Sequence, residues 1–287
     1  MNKELKAHIE YQLCVKIEQV QSISGGDISQ AYRLETESER FFCKVHSGFQ
    51  ALAMFSAEKA GLEAIALTNT IATPRVLLCD SLEKGAFLVM EYVEPKRPTS
   101  KEMELLGHQL AAMHQSKAPD SYGWDSDNYI GSLPQYNKRY KSWTDFYVRE
   151  RLLPQLKLAH DNEGLSAKEI PSGERLSKVC SSLFPETRPS ILHGDLWGGN
   201  YLIAANGHPY LIDPATYNGH YEVDLAMTRL FGGFSSSFYD AHSEHFDPVP
   251  MQRERTDIYQ LYYLLVHLNL FGRSYYGSVS SILNRYF

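Results

Sequence analysis

The stretch ILHGDLWGGNYLI, residues 191–203, sets His193, Asp195 and Asn200 on a glycine-loosened loop between two apolar flanks. Its downstream flank, Tyr201–Ile203, has a strand-like counterpart at Tyr210–Ile212, and the intervening 204–209 read as the turn of a hairpin. The two ends of a hairpin lie together, so Asn200 and Asp213 should face one space. A carboxamide and a carboxylate placed there are hard oxygen ligands, suited to Mg²⁺ carrying nucleotide phosphates. Asp195, on the same loop, is then placed to accept a proton from a hydroxyl nucleophile. Phosphoryl transfer needs these three roles together: a base, a metal-binding amide and a metal-binding carboxylate. His193, in an H-x-D loop, is expected to brace the backbone.

The rest of the chain sets the frame for that loop. Its 287 residues, 43% hydrophobic and 22% charged, have the composition of an ordinary globular protein large enough for one sizeable core or two modest ones. A formal charge of −6 with no long basic run argues against nucleic acid or an anionic membrane as a partner. The first residues, MNKELKAHIEYQL, have no signal-peptide core, and the most apolar stretch, 259–271, is too short to span a bilayer. Cys14, Cys43, Cys79 and Cys180 show no C-x-x-C spacing, which points to free thiols in a reducing cytoplasm.

Leu5, Ile9, Leu13 and Ile17 recur every four residues and predict an opening helix. Strands follow at 31–36, 40–46, 74–79 and 86–92, with a helix over 54–67 that presents Phe55, Leu62, Ile65 and Ala66 on one face. Residues 92–100 (YVEPKRPTS) carry two prolines, should continue neither sheet nor helix, and are read as a linker. Helical patterns then dominate: 101–116, 142–160, 166–183, about 221–241 and 252–271. The expected architecture is an α+β fold of two lobes. A small antiparallel β-rich N-lobe (1–91) joins through the linker (92–100) to a larger helical C-lobe (101–287).

Within the small lobe, Lys44 sits inside an apolar strand and must meet a charge to offset its desolvation. Glu58, early in the next helix, is the preferred partner; helical spacing puts Glu63 on another face. A strand lysine paired with a helix glutamate is how protein kinases hold the α- and β-phosphates of ATP. Gly25 and Gly26 in SISGGDIS (22–29) read as a turn that would cover those phosphates, although the stretch matches neither G-x-G-x-x-G nor a Walker A loop. Met90, Glu91, Tyr92 and Val93 would line an adenine slot with backbone groups.

These stretches together resemble the fructosamine kinase (ketosamine-3-kinase) family, a branch of the protein-kinase-like fold that also holds the aminoglycoside and choline kinases. The resemblance runs from about residue 20 to 272 and is carried most specifically by HGDLWGGN, DPATYNGHYEVDLAM and LFGGF. It implies an ATP- and Mg²⁺-dependent kinase that phosphorylates the 3-hydroxyl of a ketosamine, free or on a protein lysine, as a step of protein deglycation. It further implies Asp195 as base, Asn200 and Asp213 as Mg²⁺ ligands, Lys44 with Glu58 as nucleotide anchor, Trp197 beside the sugar, and Asp224 bracing the catalytic loop from the next helix. His220, Glu222 and the DNYIG element (Asp127, Asn128) are given no settled role. Some relatives carry a cysteine in the glycine loop that can link two subunits; here Gly25-Gly26-Asp27-Ile28 has no thiol, and monomer or homodimer stays open. Asp213 is followed by Pro-Ala rather than Phe-Gly, and no activation-loop segment is expected before the next helix. Two rivals stand beside this reading. An aminoglycoside- or choline-type kinase would want acidic residues in the helical lobe, such as Asp240, Glu244 and Asp247; a non-catalytic nucleotide-binding protein would keep the fold without turnover.

Overall fold

The computed structural model describes residues 1–23, 29–117 and 119–287. The expected phosphate-covering glycines, Gly25 and Gly26, lie outside the described residues. The chain opens with α1 (Lys3–Leu13), whose first turn is capped by Asn2: its side-chain oxygen accepts the Leu5 N–H at 2.8 Å. Leu5 and Ile9 are buried as the pattern predicts. Ile17 is buried too, but beyond the helix, because Cys14 turns into the left-handed region (φ 54°) and ends it.

Strands β1 (Gln19–Ile23), β2 (Gln30–Glu35) and β3 (Arg40–Ser47) lead to helix α2 (Ala51–Leu67), then β4 (Val76–Leu82) and β5 (Gly85–Glu91). They build a five-stranded antiparallel sheet in the order β1-β2-β3-β5-β4. Along β3 the side chains alternate: Phe41 and Cys43 enter a core with Leu34, Phe87 and Val89, which turns Lys44 to the other face. Helix α2 buries Phe55, Leu62 and Ile65 as expected, but Ala66 is exposed and Gly61 takes a place on the buried side.

The linker departs from expectation. Pro95–Lys96 forms a short strand, β6, before α3 (Ser100–Gln115), which starts with a reciprocal Thr99–Glu102 capping box. A hairpin that the sequence pattern did not reveal follows, β7 (Asn128–Ile130) and β8 (Leu133–Gln135). The helix expected over 142–160 is α4 (Trp143–Phe146), a π-helical turn (Tyr147–Leu152) and α5 (Leu153–Asp161). The one expected over 166–183 is a single 3₁₀ turn and α6 (Gly173–Leu183), divided at Pro171. Next come β9 (Ser190–Leu192), the hairpin β10 (Tyr201–Ala204) and β11 (Pro209–Leu211), and β12 (Tyr217–Gly219), which pairs with β9. The helix expected over 221–241 is broken into α7 (Glu222–Phe231) and α8 (Ser236–Ser243) by Gly232 and Gly233, both at positive φ. Helices α9 (Gln252–Phe271) and α10 (Tyr276–Tyr286) finish the chain.

Strand β6 pairs antiparallel with β10, Lys96 opposite Ile203 and Pro95 opposite Ala204, at the edge of the order β11-β10-β6. Proline is tolerated there because an edge strand needs ladder donors on one side only. The largest core cluster lies in the helical region, around Trp143, Tyr147, Tyr217, Tyr259 and Tyr262. A second joins Ile65 of α2 to Leu106, Leu110, Leu196, Leu211 and Phe238. Among the described residues no helix is long and apolar enough to cross a membrane, and all four cysteines are free.

Candidate active site

The loop between β9 and β10 is held from below. Asp224 of α7, fully buried, accepts the backbone N–H groups of His193 and Gly194, each at 2.8 Å. His193 Nδ1 accepts the Asp195 N–H at 3.2 Å, so Nε2 carries the hydrogen and donates it to the Ile212 carbonyl at 2.8 Å. Burial lowers the pKa of this imidazole and keeps it neutral. His193 is thus bonded on both ring nitrogens to the backbone of the two segments that carry Asp195 and Asp213.

Asn200 donates from Nδ2 to the Asp195 backbone oxygen at 2.8 Å and to its carboxylate at 3.3 Å. With Nδ2 so engaged, the Asn200 side-chain oxygen is the atom of this amide that could hold a cation. Burial raises the Asp195 carboxyl to about 7, with the charge of Asp213 adding and the Asn200 bond opposing. A carboxyl near neutrality is suited to receiving a proton from an attacking hydroxyl. The Asn200 backbone carbonyl accepts the Ile212 N–H at 3.1 Å, which closes the hairpin and brings Asp213 alongside. Asp213 itself adopts a left-handed backbone (φ 54°), unusual outside glycine.

Lys44 Nζ bridges the two regions. It bonds Glu58 at 2.8 Å and forms a close ion pair with Asp213. Burial opposes its charge, but Asp213 and Glu58 outweigh that and raise its pKa. Glu58 is shifted upward by burial, and Asp213 downward because Lys44 outweighs its own burial. Glu63 pairs instead with Lys59 on the same helix, at 3.8 Å.

Lys44, Glu58, Asp195, Asn200, Asp213 and Trp197 all line one cavity of about 540 Å³. Met90, Glu91, Tyr92 and Val93 lie outside its lining; Met90 packs in the core under β5, and the Tyr92 ring sits beneath Arg33 and Arg40. The donor set fits Mg²⁺. One ammonium, Lys44, shares the cavity with three carboxyl groups, Glu58, Asp195 and Asp213, and the oxygens of Asn200 and Asp213 suit a hard cation that arrives with phosphates and needs few protein ligands. Among the described residues no group of three or more His, Cys, Asp or Glu could form a protein-only metal cage.

A second part of the lining was not legible in the sequence. Met227, Phe231, Val266, His267, Leu270, Phe271 and Tyr275 line the same cavity, with the His267 ring against those of Phe231, Phe271 and Tyr275, and Trp197 lines it too with 41% of its surface exposed. The DNYIG segment contributes Asn128–Gly131, so it is a structural hairpin that also borders the cavity. Asn128 fixes it there, donating to the Thr216 carbonyl at 2.8 Å and accepting from Gln135 and Asn137 at 2.8 Å each. His220 and Glu222 do not reach the cavity: His220 bonds the Tyr259 hydroxyl at 2.8 Å, and Glu222 holds Arg255 in a buried bidentate pair at 2.6 and 2.8 Å. Asp240, Glu244 and Asp247 are exposed and stand outside it as well. Beside the loop, Gly198 and Gly233 touch backbone to backbone: a Cβ at Gly233 would lie 2.8 Å from the Gly198 Cα.

The sequence profile described as "Fructosamine kinase" matches residues 1–287. A Synechocystis protein named "Probable ketoamine kinase" is 38% identical over 270 residues, 94% of this chain and 90% of that one. Mouse ketosamine-3-kinase is 35% identical over 296 residues, covering 94% and 95%. A solved Haemophilus somnus 129PT structure carrying the name fructosamine-3-kinase superposes with a TM-score of 0.89 at 26% identity, over 99% of this chain and 96% of the other. An aminoglycoside phosphotransferase superposes at 0.64 with 15% identity over 98% of each chain, a likeness of fold alone.

Proposed function

The chain belongs to the fructosamine kinase family, and from that membership and the site we propose that it phosphorylates the 3-hydroxyl of a ketosamine with Mg-ATP. Membership makes it an ATP-dependent phosphotransferase acting on an alcohol group. The observation that carries the finer reading is that one cavity is lined both by carboxylates, an amide and a lysine and by aromatic and apolar side chains with His267 among them.

In this reading Lys44, held by Glu58, anchors the nucleotide phosphates. Asn200 and Asp213 would hold Mg²⁺, which supplies charge neutralisation on the phosphates. The oxygen of the sugar 3-hydroxyl attacks the γ-phosphorus, its proton passes to Asp195, and ADP leaves. Catalysis is then mostly positioning and charge compensation, which the bonded frame of His193, Asn200 and Asp224 supports. Trp197 would flank the sugar, its ring face against C–H groups. A phosphate at C3 is a good leaving group: once the ketosamine tautomerises to its 1,2-enaminol, the nitrogen lone pair would expel inorganic phosphate from C3 and leave a C1 imine, and hydrolysis of that imine by water would free the amine; that is the chemistry of deglycation. The free thiols are in keeping with a reducing, cytoplasmic setting.

A polycationic acceptor of the aminoglycoside type would call for carboxylates on the acceptor wall. The side chains that α7, α9 and Tyr275 bring to the cavity are aromatic and aliphatic with the imidazole of His267, none of them a carboxylate, and the acidic set at 240–247 lies outside the lining. A mass-detected assay across ketosamines of different sugar length, an aminoglycoside and choline tests the reading. Turnover of ketosamines alone is expected. Turnover of only the other two would overturn it, and nucleotide binding without turnover of any acceptor would make the chain a binding protein.

A further inference from the structure

Glycine is disfavoured inside helices relative to alanine, yet α2 carries a buried Gly61 well inside its 17 residues. Glu58 precedes it by three positions, so the two share a helix face. A Cβ at position 61 would lie 2.9 Å from Thr216 Oγ1 and 3.0 Å from Pro214 Cγ. Pro214 directly follows Asp213, so the bare backbone of α2 rests on the segment that delivers the carboxylate facing Lys44. The Thr216 hydroxyl is buried and has no hydrogen-bond partner among the described residues, so bonding does not account for its place in this seam. Around it α2 is held from both sides. Phe55 and Leu62 pack beneath the sheet with Leu88 and Met90, while Ile65 packs with Leu196 and Leu211 of the helical region.

We propose that Gly61 is a positioning residue: its missing side chain lets α2 dock on Pro214–Thr216 and so holds Glu58 within reach of Lys44. This rests on the reading of Lys44 and Glu58 as nucleotide anchors. The Glu58–Lys44–Asp213 set is then assembled in the folded chain, with no separate step that swings α2 inward. A methyl group at 61 falls about 0.5–1 Å short of the usual carbon contact distance and must lift the helix by a comparable amount. The 2.8 Å bond from Lys44 to Glu58 stretches with that lift.

The test uses the full-length protein and three variants: Gly61→Ala, Thr216→Ala and the double substitution. Mg-ATP affinity is measured by titration, KM is measured separately for ATP and acceptor, and thermal melting checks that each variant folds. Gly61→Ala is expected to weaken ATP binding roughly tenfold, with the acceptor KM within about twofold of the unsubstituted chain. Thr216→Ala alone should bind ATP normally, and the double variant should recover part of the loss, because the obstructing hydroxyl is gone while Pro214 Cγ still stands 3.0 Å from the added methyl. Unchanged ATP affinity in Gly61→Ala, or a double variant no tighter than Gly61→Ala, overturns the proposal. The titration needs no acceptor, so a failure of the ketosamine reading is told apart from a failure of the docking seam.

Discussion

Asp224 reaches back to His193 across 31 positions: its Oδ2 accepts the His193 N–H at 2.8 Å while its Oδ1 accepts that of Gly194 at the same distance. Both carboxylate oxygens are spent on consecutive amides of the loop that carries Asp195, and Oδ2 also meets His114 Nε2 at 3.1 Å. In Asp224→Asn one oxygen becomes an NH₂ that faces a donor. The loop must give way, and kcat is expected to fall roughly a hundredfold, equivalent to about 2.7 kcal/mol. ATP affinity should stay within a few-fold, since Lys44 is untouched. Steady-state kinetics beside a nucleotide titration check the split.

Asp195→Asn keeps the size of the side chain and removes its capacity to take a proton. Turnover should fall by about 10²–10⁴ with Mg-ATP binding nearly unchanged. Retained turnover would remove Asp195 from the role of base.

Trp197 lines the cavity with 41% of its surface exposed, and in the proposed reading its ring flanks the sugar and not the nucleotide. Trp197→Ala is expected to raise the acceptor KM about tenfold, in line with the loss of one aromatic contact. The KM for ATP should not move. Equal effects on both would place the ring in packing instead.

Two buried imidazoles tie stability to pH. His242 is lowered to about 2 by burial, with His114 adding, and His220 to about 3 by burial, with Arg255 adding. Their folded pKa values lie below the ordinary histidine value near 6.5, so the unfolded chain binds these protons first. Their contribution is complete above about pH 6.5 and drains away as pH falls below it, by about 1.4 kcal/mol per pH unit for each group. Urea unfolding of the native chain and His242→Gln at pH 7.5 and 5.0 isolates one of them. The variant should lose less stability than the native chain over that interval; an equal loss would contradict the assignment.

Much of this arrangement could be read from the chain because short-range chemistry dictates it. A lysine in an apolar strand demanded a carboxylate, and helical phase chose Glu58 over Glu63. The hairpin between Asn200 and Asp213 followed from two strand-like runs and a turn. Other features depend on contacts that no local pattern encodes. The aromatic wall draws Phe231 from α7 and Phe271 and Tyr275 from the end of the chain, which meet only in the tertiary fold. The hairpin at 128–135 has strands of three residues each, too short for alternation to announce them. The expectation that 92–100 would join no sheet missed Pro95–Lys96, because proline bars a central strand and an edge strand of two residues escapes that rule. His220 and Glu222, beside a site motif, are polar for the sake of the core: Glu222 satisfies the buried Arg255.

The backbone contact between Gly198 and Gly233 joins two signatures that stand far apart along the chain, HGDLWGGN and LFGGF. A side chain added at either glycine displaces the backbone of the other, so neither can drift alone without disturbing the loop that presents Asp195. In mutational terms the two stretches behave as one locus. A descendant sequence could leave this glycine pairing only by moving α7's end and the loop that carries Asp195 together, a two-position step with a damaged intermediate.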